Sequence, residues 1–124
     1  MHITVDAPNP SLTERFVVWL CNELNVAPDT VVIQGDDDIG DGILGLCVDV
    51  SDSDFLIMVK TSDRNIGEVF NTIAHEMIHV KQYMTENLGW FLDNRFSIPY
   101  HQRWWEVEAF SKSLSFVEKF AKGL

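Results

Sequence analysis

The run from Asn65 to Thr85, NIGEVFNTIAHEMIHVKQYMT, contains no proline, and its apolar residues return every three or four positions. Asn65 stands where a helix needs a cap, with Glu68 three residues on. Projected at about 100° per residue, Ile66, Val69, Phe70, Ile73, Met77, Val80 and Met84 share one broad side, which is expected to face the core. Glu68, Thr72, His75, His79 and Gln82 form a stripe opposite, within about 60° of one another. The two histidines therefore lie off the helix's own apolar face, and the plain reading is that their stripe faces water.

The rest of the chain supplies elements for that helix to pack on. Leu12, Phe16, Trp19, Leu20 and Leu24 recur at helical spacing, and Ser11 opens the capping-box pattern S-L-T-E, so residues 12–24 are expected to form an amphipathic helix. TVVIQ (30–34), ILGLCVDV (43–50) and FLIMVK (55–60) read as strands, separated by the breaks GDDDIGDG and SDSD. Three strands after one helix predict a small, mostly antiparallel sheet. The segment 87–100, NLGWFLDNRFSIPY, reads as an aromatic-rich loop, and residues 102–122 are helical again, ending near Gly123. The expectation is a single α+β domain over residues 1–124, which is long enough for one core and too short for two.

Nineteen acidic side chains against nine basic ones give a net charge of −10, a field that repels phosphate backbones and anionic lipid, so no direct nucleic-acid or membrane partner is expected. Cys21 and Cys47 form no C-x-x-C pair, and MHITVDAPNP has neither a basic start nor an apolar run. A soluble, cytoplasmic protein with two buried thiols follows. The acidic GDDDIGDG resembles a calcium loop only loosely: twelve positions from Asp36 end on Cys47, where a bidentate Glu is required, so a solvated turn is expected.

Within the long helix, AHEMIHV holds the pattern H-E-x-x-H. Histidines four apart stack on one helical face, and a Glu beside the first is placed to assist a metal they hold. A catalytic zinc takes three protein ligands and keeps one position open, so a third ligand must come from elsewhere. The last helix offers Glu106 and Glu108 in WWEVEAF. Glu106 falls with Ala109, Phe110, Ser113, Val117, Phe120 and Ala121 on the apolar face, where an ionised carboxylate needs a compensating charge. A metal on His75 and His79 would compensate it; a salt bridge to Arg103 or a cap is the alternative. Glu108 falls on the opposite side and reads as an exposed Glu pairing with Lys112.

HEMIHV followed by a separated WEVEA resembles the small gluzincin-type zinc metallopeptidases, including minigluzincins, SprT-like domains and short phage-encoded metallopeptidases. The resemblance covers residues 65–112, and Glu106 with Ala109 matches the E-x-x-A pattern that carries the third ligand in such families. Phe110 departs from it, standing where several of those families place an Asn or Asp that orients the ligands. The resemblance implies a minimal zincin-like fold, one Zn²⁺ per chain on His75, His79 and Glu106, and hydrolysis of a peptide or protein substrate with Glu76 as general base. Tyr100 and His101 are the candidates for a donor to the oxyanion. An extended substrate is expected to add beside an edge strand. Trp90, Phe91, Phe96, Trp104 and Trp105 are candidates for either the core or an apolar specificity pocket. The competing reading is a non-catalytic, zinc-stabilised protein-binding module, with a fourth ligand from His101 or a loop Asp.

Overall fold

The computed structural model describes residues 1–124. Along the chain run β1 (His2–Asp6), α1 (Pro10–Leu24), β2 (Thr30–Gly35), β3 (Gly45–Asp49), β4 (Asp54–Val59), α2 (Ile66–Thr85), α3 (Leu88–Asp93) and α4 (Trp104–Lys122), with two 3₁₀ turns at Arg95–Ser97 and Tyr100–Gln102. The class is α+β, as expected, but the sheet is not the three-stranded, mostly antiparallel one. It has four strands in the order β1-β2-β4-β3. β1 and β4 both run parallel to β2, and only β3 and β4 are antiparallel.

Two features produce the difference. HITVD alternates outward and inward residues and forms an edge strand, with α1 as the crossover that a parallel β1–β2 pair requires. The long connection between Gly35 and Gly45 then lets the chain pass over β4's position, so that β4 rather than β3 pairs with β2.

α1 also begins earlier than the S-L-T-E pattern implies. Pro10, whose missing N–H suits a first helical position, starts the helix, and Asn9 stands at the N-cap without a side-chain cap bond, so Ser11 lies inside. At α2 the expected capping box is present: Asn65 Oδ1 accepts from the Glu68 amide at 2.8 Å, and Glu68 Oε1 accepts from the Asn65 amide at 3.1 Å.

The core lies between one face of the sheet and the helices. Val31, Ile33, Phe55, Ile57 and Val59 meet Phe16, Leu20, Phe70, Ile73 and Met77, all of them buried. Phe16 stacks on Phe70 with centroids 4.5 Å apart, and Phe120 of α4 closes the cluster at 4.9 Å from Phe16. No helix is long and apolar enough to cross a membrane. The 87–100 segment is not a plain loop, since α3 folds there and buries Leu88.

Candidate metal site

The stripe of α2 that carries the histidines is largely covered. α4 lies across it, and Thr72, His79 and Gln82 are buried and His75 half-buried, while Glu68 in the first turn stays exposed. The side of α2 expected to be core packs on the sheet and α1, except for Ile66 in the first turn, which is exposed, so most of this helix is covered on both sides.

α4 approaches through its own buried seam of Trp105, Ala109 and Ser113. Glu106 and Glu108 flank that seam on opposite sides. Glu106 reaches the histidines: its Oε1 is 2.7 Å from His79 Nε2 and its Oε2 3.8 Å from His75 Nε2. Donor atoms of His75, His79 and Glu106 all lie within 4.8 Å of one another, and no fourth ligating side chain joins them. Tetrahedral ligands at zinc-like bond lengths sit about 3.3 Å apart, so the observed spacings bracket the required one. The three residues could hold a metal ion.

Burial alone would raise the pKa of Glu106, but the two imidazoles outweigh it and hold the carboxyl at about 2. Burial likewise opposes a charge on His79, yet Glu106, Glu76 and Gln82 outweigh it and raise the imidazole's pKa. Without a metal, carboxylate and imidazolium thus pair, and an ion entering the site must displace that proton.

Glu76 is buried in the same cleft, and burial raises its pKa above the ordinary carboxylate range despite the neighbouring histidines. No hydrogen bond to the chain contributes to that shift, so its oxygens are uncommitted. The cleft, about 240 Å³, is walled by Gly45, Leu46 and Cys47 of β3 and by Tyr83, Leu88, Leu92 and Trp105, with His75, Glu76, His79 and Glu106 along its floor. A second opening beside it is lined by Ile43, Leu44, Asn71 and Phe110, where buried Asn71 Oδ1 lacks a hydrogen-bond partner.

Other expectations fare differently. Tyr100 is 65% exposed, with the Arg103 guanidinium 5.4 Å from its ring, and it does not line the cleft; Tyr83 is the phenol that does. Tyr83 follows His79 by one turn on α2, a spacing that could have identified it. Burial raises its pKa, so the phenol stays protonated. His101 is exposed. Arg103 donates to the carbonyls of Ile98 and Arg95, not to Glu106. Of the aromatic candidates only Trp105 lines the cleft, while Trp90 and Phe96 are exposed and Phe91 packs on Trp104.

Glu108 corrects the wet-side expectation. It does pair with Lys112 at 3.0 Å, but it also accepts from Lys81 Nζ at 2.8 Å and Gln82 Nε2 at 2.9 Å, which fastens α4 to α2. The GDDDIGDG segment is a latched turn in which Asp37 accepts from the backbone amides of Thr61 and Ser62 at 3.1 Å. Comparisons with models of known families, with characterised proteins and with solved structures find no match.

Proposed function

We propose that the chain is a zinc-dependent peptidase. The observation that carries this reading is one cleft holding two kinds of group: a three-ligand cluster of His75, His79 and Glu106 with no fourth chain ligand, and beside it a buried Glu76 with uncommitted oxygens. A purely structural site would be closed by a fourth ligand and would have no use for a free base. Zinc held there would act as a Lewis acid toward a carbonyl and lower the pKa of a water.

The chain's own residues divide the remaining work. Glu76 takes a proton from the attacking water onto a carboxylate oxygen and returns it to the departing nitrogen. Its raised pKa makes it a stronger base than an ordinary surface Glu. Tyr83 is available as a donor to developing negative charge. β3 is the sheet edge beside the cleft, so an extended peptide laid along it passes over Glu76. The apolar wall of Leu46, Leu88, Leu92 and Trp105 suits a large apolar side chain next to the scissile bond.

Elemental analysis of the dialysed protein is expected to find one zinc per chain, lost in Glu106→Ala. On quenched-fluorescence peptides rich in apolar residues, Glu76→Gln is expected to lower cleavage by about 10²–10⁴-fold with zinc content unchanged. A folded parent without zinc, or a Glu76→Gln variant that cleaves like the parent, would overturn the reading.

A further inference from the structure

Gln82 lies one turn beyond His79 on α2 and is fully buried, a site where a carboxamide destabilises the fold unless its polar atoms are matched. They are matched. Its Nε2 donates to the Trp105 carbonyl at 3.0 Å and to Glu108 Oε1 at 2.9 Å. A carbonyl and a carboxylate only accept, so reversing the amide would set its oxygen against both of them. Gln82 Oε1 therefore faces Nδ1 of His79, at 2.7 Å, and that contact requires a hydrogen on Nδ1. The other ring nitrogen, Nε2, is the one turned toward Glu106. When the ring is neutral, Nε2 carries the lone pair.

We infer that Gln82, oriented by Glu108 and the Trp105 carbonyl, is a positioning residue that sets His79 as an Nε2 ligand for a zinc-like divalent ion. The inference rests on the metal reading of His75, His79 and Glu106. It gives the α2–α4 seam two roles: one flank of α4 supplies the third ligand, Glu106, and the other holds the amide that orients the second. Phe110 lays its ring 4.6 Å from that of His75, whereas the contact from Gln82 acts on the other histidine, His79. Groups that orient ligands through the second ring nitrogen change metal affinity by about 10–100-fold when removed.

The test is zinc affinity by chelator competition on the whole, metal-stripped chain, with circular dichroism to verify folding. Gln82→Leu is expected to bind zinc about 10–100-fold more weakly than the parent. The exchange Gln82→Glu with Glu108→Gln keeps an acceptor for His79 and a donor–acceptor pair between positions 82 and 108 but turns a carboxylate oxygen toward the Trp105 carbonyl, so it should recover only part of that loss. In zinc-loaded protein with ¹⁵N-labelled histidine, the parent should show a protected Nδ1–H on His79 that is lost in Gln82→Leu, a signature that packing alone would not move. If Gln82→Leu fails to fold, Glu108→Ala is read in its place, with weaker zinc binding expected. A parent that takes up no zinc overturns the metal reading and this inference together. One zinc per chain in the parent, with the folded variants binding as tightly, overturns this inference alone.

Discussion

At Gly45 strand β3 passes so close to α2 that a Cβ would sit 2.5 Å from Thr72 Cγ2 and 3.3 Å from Glu76 Oε2. The missing side chain thus sets the height of the sheet edge over the proposed base. Gly45→Ala should lower stability by about 1–3 kcal/mol, because the strand must lift or the helix shift. Thr72→Ser in the same chain should restore part of it, since it removes Cγ2 but keeps the hydroxyl that accepts from Arg64 Nη2 at 2.7 Å. Thermal melts of the four proteins in this cycle decide the matter; purely additive losses would mean that the two side chains do not clash.

Between elements, the decisive contact is α4 on α2. Ala109 is fully buried, which lets the helices approach closely, and Glu108 draws Lys81, Gln82 and Lys112 together at one edge. Burial would raise the Glu108 pKa, but the hydrogen bonds from those three side chains outweigh it and hold the carboxyl at about 2. A depressed folded-state pKa stabilises the fold above the ordinary carboxylate range and loses that contribution as pH falls toward the folded value. In metal-free protein, Glu108→Gln should therefore melt below the parent at pH 6, with the gap closing between about pH 4.5 and 2. A gap that is the same at both ends would show that the ion pairs contribute nothing.

For the whole molecule, the sheet order places β1 and β3 at opposite edges, and only β3 borders the cleft. The whole chain carries a net charge of −10. The summed field attracts cations, which under the proposed function favours cationic peptides, and is screened at ionic strengths where the Debye length falls below about 10 Å. Among peptides sharing the same apolar core, lysine-flanked ones should be cleaved with higher kcat/KM than glutamate-flanked ones. The difference should shrink between low salt and about 0.5 M. Equal rates at low salt would count against a long-range electrostatic contribution.

How much of this was legible beforehand differs by element. The α2 helix, its Asn65–Glu68 cap and the pairing of His75 with His79 follow from local spacing, since helical periodicity and capping involve residues only a few positions apart. Glu106 was legible for a similar reason, as a carboxylate on an apolar face that needed a partner. Strand order was not, because β1 and β4 reach β2 through backbone bonds that leave no trace in side-chain periodicity. Nor was the surrounding of the site: Tyr83, Leu88 and Leu92 line the cleft, and Glu108 grips Gln82, only because α3 and α4 fold back over α2. A helical wheel describes one helix in isolation, so the sequence determined which side chains share a face, while the tertiary packing decided which faces meet and which remain in water.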